Sequence, residues 1–287
     1  MDLGFRLIAD LKCKVGESPV YDERTNRLFF VDIPARRLFM MALGNGVLKS
    51  FDFDKEVGSL GLAASGRLVV ALRDEIILFD PDSEARQALC PVEADRPETR
   101  LNDGKVGPDG AFWVGSMDDR PEKQPLGALY RVDPSGRVDR KVDGVTVSNG
   151  LAWTADGEWM FFADSRGPWI DRWRFDRWTG AITERTRFAE PEEAGRPDGG
   201  SCDAEGFYWS AGVSAGRLNR FAPDGTLAAS YPTPVPSPTM PCFGGPDFRT
   251  IFLTSLGGGA SGGVPSGALF AADAPVAGFA PWRFLDI

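Results

Sequence analysis

A chain of 287 residues that is 43% hydrophobic can bury a large core, and its acidic balance gives a formal charge of −9 and a pI near 4.8. That balance speaks against a nucleic-acid groove or an anionic membrane surface, both of which need clustered Lys and Arg. The sequence contains no histidine, which excludes Ser-His-Asp and Cys-His catalysis, His-ligated zinc and a His general base together.

The chain starts "MDLGFRLIADLKCK", with no basic start leading into a continuous apolar run, so no secretory signal is expected. No later stretch approaches the ~20 apolar residues that span a bilayer. Cys13, Cys90, Cys202 and Cys242 show no C-x-x-C spacing. They read as reduced core thiols, without a thiolate zinc site, and this fits a cytoplasmic location. Strands are then predicted in order at "GFRLIADL", "RLFFVDI", "RLVVAL", "AFWVGSM", "WMFFADS", "FYWSAGV" and "TIFLTSL". From the second on, each follows a turn cluster such as "DERTN", "GPDG", "TADG" or "DAEG". These runs are β-branched and aromatic, and most are followed by another short strand and a second turn. Helical periodicity is scarce, so the class is all-β.

A phrase recurs along the chain, starting at Gly16, Gly58, Asn102, Asn149, Pro197 and Pro241 with intervals of 42, 44, 47, 48 and 44 residues. Each repeat is long enough for a four-stranded sheet, and six such sheets stacked radially make a six-bladed β-propeller. The even period disfavours a linear solenoid or two sandwiches. Residues 1–287 are therefore expected to form one propeller domain, with the opening strand completing the sheet of the last blade. The innermost strand of each blade lines the central channel. The phrase starts should thus converge on one mouth, offering Glu17, Gly58, Asn102, Asn149, Asp198 and the Pro241-Cys242 pair. Two carboxylates and two amides in a confined channel suit a divalent cation, which removes their repulsion. An oxygen-only set points to Ca²⁺, Mg²⁺ or Mn²⁺, and Zn²⁺ or Fe²⁺ can also occupy it.

Five segments in order, "GESPVYDERTNRLFFVDI", "RLNDGKVGPDGAFWVGSM", "SNGLAWTADGEWMFFADS", "RPDGGSCDAEGFYWSA" and "PCFGGPDFRTIFLTS", make the chain resemble the senescence marker protein (regucalcin)/gluconolactonase group of sugar lactonases. The resemblance implies a six-bladed propeller with a channel metal, Ca²⁺ first, on Glu17, Asn149 and Asp198. It also implies substrate contacts from Arg100 and Asn102, with Asn102 near the ion. The implied reaction is hydrolysis of an aldonic acid lactone such as gluconolactone, with a small sugar lactone as the partner. The ion would polarise the carbonyl and Asp198 would take the proton of the attacking water. A non-catalytic Ca²⁺-binding regulatory propeller is the alternative, and esterase or organophosphate hydrolysis a third reading.

Two stretches depart from the family pattern. "GSMDDRPEK" leaves Asp118 or Asp119 as the acidic contact to the sugar, and "SLGGGASGGVPSG" (Ser255–Gly267) is either a surface loop or a lid. The aromatic cluster Trp169–Trp178 is expected as a blade strand with cation–π contacts on its outer face. Asp103 and Lys105 are expected to fix the inner strand, and Cys242 to be a packed thiol near the mouth.

Overall fold

The strand-and-turn pattern of the sequence is the pattern of the molecule. The computed structural model describes residues 2–191, 193–258, 263 and 265–287, and their regular elements are all β-strands. After β1 (Arg6–Ala9) comes a first sheet of β2 (Gly16–Asp22), β3 (Arg27–Asp32), β4 (Arg37–Ala42) and β5 (Val47–Asp52). The second is β6 (Val57–Leu62), β7 (Leu68–Leu72), β8 (Glu75–Phe79) and β9 (Arg86–Pro91). The third is β10 (Thr99–Val106), β11 (Phe112–Asp118), β12 (Gly127–Val132) and β13 (Val138–Val145). The fourth is β14 (Ser148–Trp153), β15 (Trp159–Asp164), β16 (Trp169–Asp176) and β17 (Ala181–Ala189). The fifth is β18 (Pro197–Cys202), β19 (Tyr208–Gly212), β20 (Arg217–Phe221) and β21 (Leu227–Pro232). The sixth has β22 (Pro238–Gly244), β23 (Thr250–Ser255) and β24 (Leu269–Asp273), and β1 pairs antiparallel with β24 to complete it. The N-terminal strand thus closes the ring, as expected.

The core lies between blades. In β3, Phe29 and Val31 pack toward the second blade, while Leu28 and Phe30 pack toward the sixth. Successive side chains of a strand point to opposite faces, so a strand covered on both sides must be apolar throughout. This is why second strands such as β3, β7 and β15 read as nearly unbroken hydrophobic runs. On the fourth blade, Arg172 and Arg174 sit 4.5 and 4.9 Å over the Trp159 ring, and Arg185 covers Trp169 and Trp173. The Trp169–Trp178 stretch is thus a blade strand, β16, up to Asp176 and a turn after it, laced by cation–π contacts.

Residues after β24 cross the base of the ring. Gly278 N donates to Phe248 O, Phe284 N to Leu62 O, and Leu285 N to Gly110 O. Arg283 reaches Asp22 and Glu23 at 2.8 and 2.7 Å. The tail therefore ties together the first, second, third and sixth blades.

Each inner strand carries one extra residue relative to its partner at the same level. Such a bulge bends the strand and re-aims its side chains. The unpaired residues are Ser18-Pro19, Gly58, Asn102-Asp103, Gly150-Leu151, Asp198-Gly199 and Thr239-Met240. The sixth phrase is thus misplaced by the sequence reading. Thr239, not Pro241 or Cys242, occupies the position of Asp198, and Cys242 lies farther down β22, lining the channel interior.

Candidate functional site

Placement of the site begins with two aspartates that end second strands. Asp32, last in β3, accepts the backbone N–H groups of Lys14 and Val15, both at 3.0 Å. Asp164, last in β15, accepts those of Thr146 and Val147 at 2.7 and 3.1 Å. Each clamps the segment leading into an inner strand, and so fixes where Glu17 and Asn149 project. These two residues hold the last paired position before their bulges, whereas Asn102 and Asp198 lie within theirs. Ser18 and Gly150 follow with φ of +50° and +68°. At Gly150 a Cβ would stand 2.5 Å from Tyr208 Oη, whose hydroxyl donates to Gly150 O at 2.8 Å, so glycine is required there.

Glu17, Asn149 and Asp198 are all buried. Burial, then Asp198, then Asp103 push the Glu17 carboxyl well above its usual range. Burial followed by Asp103 raises Asp198 to about 8, and Glu17 is within hydrogen-bonding reach of it. Glu17 Oε2 accepts from Ser18 N at 2.8 Å. Asn149 Nδ2 donates to Ser165 Oγ at 2.8 Å, and that hydroxyl in turn donates to Pro197 O. The Asn149 amide oxygen accepts no hydrogen bond from the described residues. Buried Asp103 Oδ1 also lacks a partner. Two carboxyls forced together, with a free amide oxygen beside them, are a donor set that a divalent cation would complete.

Beside this trio, Asn102 donates through Nδ2 to Ser148 O and accepts through Oδ1 from Arg100, both at 2.8 Å. Its amide oxygen is thus committed to Arg100 rather than turned freely toward the trio. Arg100 also donates to Asp119 Oδ1 at 3.2 Å, while Asp119 Oδ2 takes Arg73 at 2.8 Å. Asp118 is different. Its fully buried carboxylate accepts from Arg120 N, Nε and NH2 and from Gln124 N, and those bonds hold it well below the usual carboxylate range. Of the two acidic candidates, Asp119 joins the site through Arg100 and Asp118 braces its own loop.

Asp103 and Lys105 reach across blades. Asp103 Oδ2 accepts Leu151 N at 2.9 Å, and Lys105 Nζ donates to Gly200 O at 2.7 Å. The sequence reading saw them as props of their own strand; they are ties between the third, fourth and fifth blades. Below the ring lies a cavity of about 70 Å³ lined by Ser18, Lys105, Cys202, Cys242 and the tail's Phe279 and Trp282. Burial raises the Cys242 thiol to about 11 and that of Cys13 to about 12, so neither is a nucleophile at neutral pH. All four cysteines are free thiols. The described ends of the Gly-rich segment are pinned beside β2, with Gly257 N donating to Lys14 O and Cys13 N to Gly267 O. The centre of this segment, read as a surface loop or a lid, falls on residues 259–262 and 264, which lie outside the described residues. No helix among the described residues is long and apolar enough to cross a membrane.

A six-bladed propeller with buried carboxylates and amides at one end of its channel defines a class of channel-site propellers. Residues 15–257 match the family described as SMP-30/Gluconolactonase/LRE-like region. The chain belongs to that family. It is 36% identical over 253 residues to 6-deoxy-6-sulfogluconolactonase of Pseudomonas putida, covering 85% of this chain and 86% of the relative. It is 33% identical over 248 residues to regucalcin of Xenopus laevis, covering 84% and 83%. The structure of regucalcin from Agrobacterium tumefaciens, described as a calcium-binding protein, superposes with a TM-score of 0.91 at 26% identity, covering 97% and 96%.

Proposed function

We propose that this chain is a divalent-metal-dependent hydrolase of sugar lactones, with Glu17, Asn149 and Asp198 as the metal ligands. The observation that carries the reading is the convergence of these three side chains from separate blades, with Arg100 and Asn102 alongside. A bound divalent ion, Ca²⁺ first and Mg²⁺, Mn²⁺, Zn²⁺ or Fe²⁺ as alternatives, would polarise the lactone carbonyl and lower the pKa of a bound water. Arg100, fixed by Asp119 and Asn102, donates to the ring oxygen or hydroxyls of the sugar. Asn102, braced by Ser148 O, keeps Arg100 in that pose. Asp198 accepts the proton of the attacking water. Names of relatives favour an aldonic acid lactone as substrate, and one of them is a sulfonated gluconolactone. Location in the cytoplasm and a single domain over residues 1–287 complete the proposal.

The test is acid release in a pH-stat on a panel of aldonolactones, with metal-stripped protein and with each ion restored. Turnover that needs the ion and is lost in Asp198→Asn supports the reading. Tight Ca²⁺ binding without turnover of any lactone would replace it by the regulatory propeller. Full turnover by Asp198→Asn with metal bound would overturn the proton-acceptor role.

A further inference from the structure

The chain carries a net charge of −9, yet one side of the channel mouth gathers cations. First strands start at the mouth and second strands end there. Arg100 and Arg196 each stand two residues before a ring residue, Asn102 and Asp198. Arg166 follows Ser165, the hydroxyl that holds Asn149, and Lys123 lies on the loop after β11. Lys123 feels both Arg100 and Arg166, which with burial lower its proton affinity, and Arg196 acts on Asp198. These four positive groups therefore share one neighbourhood.

Most of the carboxylates nearby are already paired. Asp119 serves Arg100 and Arg73, and Glu56 also faces Arg73. Asp118 is closed by Arg120, and Glu98 faces Arg96. Glu122, next to Lys123, and Glu193, three residues before Arg196, are exposed and unpaired among the described residues. Lys123 Nζ donates only to the carbonyls of Asp118 and Arg120. Among the described residues the side chains of Arg166 and Arg196 have no hydrogen-bond or ion-pair partner. Glu17 and Asp198 would not compensate the arc once an ion bound between them offset their charge. On the opposite side Lys55 is taken by Asp74 and Glu75 and Arg37 by Asp52, whereas Lys14 and Arg36 form no ion pair among the described residues.

We infer that Lys123, Arg166 and Arg196, flanking Arg100, select lactones that carry a second, anionic group remote from the carbonyl, a sulfonate, phosphate or carboxylate. This rests on the lactonase reading and names its substrate class. A neutral sugar lactone leaves these cations unmatched. An anionic one meets charge-assisted donors in a mouth where Arg100 is already fixed.

The experiment compares kcat/KM for glucono-1,5-lactone, 6-phosphoglucono-1,5-lactone and 6-deoxy-6-sulfogluconolactone on the metal-loaded full chain at low and high salt. The anionic lactones should be preferred by about tenfold or more at low salt, with the preference shrinking as salt rises. Arg166→Ala and Lys123→Ala should each lower the anionic-to-neutral ratio by about fivefold to tenfold, and Arg166→Glu by more. The two anions separate a phosphate site from a sulfonate site. A ratio near one, or one insensitive to salt and to all three substitutions, overturns the inference. Calorimetric binding of 6-phosphogluconate against gluconate reads the same arc without turnover. If no lactone is hydrolysed the lactonase reading fails, whereas preferential 6-phosphogluconate binding that Arg166→Ala abolishes still upholds the arc. Equal binding of the two acids sinks it.

Discussion

Stripping the protein of divalent ions and raising the pH from 6 to 8 should destabilise it through the charge placed on Asp198. In the folded protein this carboxyl titrates at about 8, against about 3.9 in an unfolded chain. The folded state therefore binds the proton more tightly. The stability this confers is complete below about pH 4 and is lost as the pH rises through 8. Between pH 6 and 8 the loss is about 2 kcal/mol, from 1.36 kcal/mol per unit with the group half titrated at the upper end. For a chain of this size that corresponds to about 4 °C in Tm. The assay is thermal unfolding of chelator-treated wild type and Asp198→Asn across this range, read as the difference between them. The variant no longer has to bury a charge, so at pH 8 it should melt higher than metal-free wild type. Adding Ca²⁺ should invert the order, because only the wild type keeps both carboxylates for the ion. If the difference between the two proteins does not change from pH 6 to 8, the reasoning about the buried pair is wrong.

Arg100→Ala should raise KM for a lactone by about tenfold with a smaller effect on kcat, and Asp119→Asn should raise it less, since Asp119 acts through Arg100; steady-state kinetics separates the two. Asp118→Ala should lower Tm by several degrees, because the backbone N–H groups of Arg120 and Gln124 lose their acceptor. Cys242→Ala should retain turnover within about threefold while costing about 1 kcal/mol in denaturant unfolding, as expected for a packed thiol. Ending the chain after Pro281 removes the Arg283, Phe284 and Leu285 ties and should lower Tm markedly, a loss seen by calorimetry with the ion present or absent.

The blades were legible because turn chemistry and apolar second strands repeat with the sheet, and even ring closure by β1 could be counted from the strands each repeat supplies. The register of the site was not. The recurring phrase aligns on its turn glycine, so Asn102, Asn149 and Asp198 all fall eight residues before Gly110, Gly157 and Gly206. In the fold Asn149 sits one place earlier on its strand than the other two, and a turn one residue shorter after Ala152 restores the count. A bulge inserts its extra residue without any mark in composition. The sixth phrase has no carboxylate or amide at the position, so alignment slid from Thr239 to Pro241. The tail was invisible for another reason: it forms no strand, and its bonds to Leu62 and Gly110 join residues far apart in the chain. Choosing Asp119 over Asp118 likewise needed side-chain partners, since two adjacent strand-end residues point in different directions.

The two ends of the channel explain why selectivity belongs at the mouth. Below the ring, Phe279 and Trp282 of the tail line a cavity of about 70 Å³, room for a few waters rather than a sugar. The proposed substrate is expected from the opposite end, where the bulges turn Glu17, Asn149 and Asp198 inward and where Arg166 and Arg196 are exposed. The ring residues need burial, because only a low-dielectric site makes two carboxyls costly to leave without an ion. The cations need exposure, because they must meet a solvated group before the carbonyl is seated. One inner strand serves both needs within three residues. On β18 and its approach, Arg196 stays in water while Asp198 is buried at the bulge, and Pro197 O between them accepts the Ser165 hydroxyl that orients Asn149.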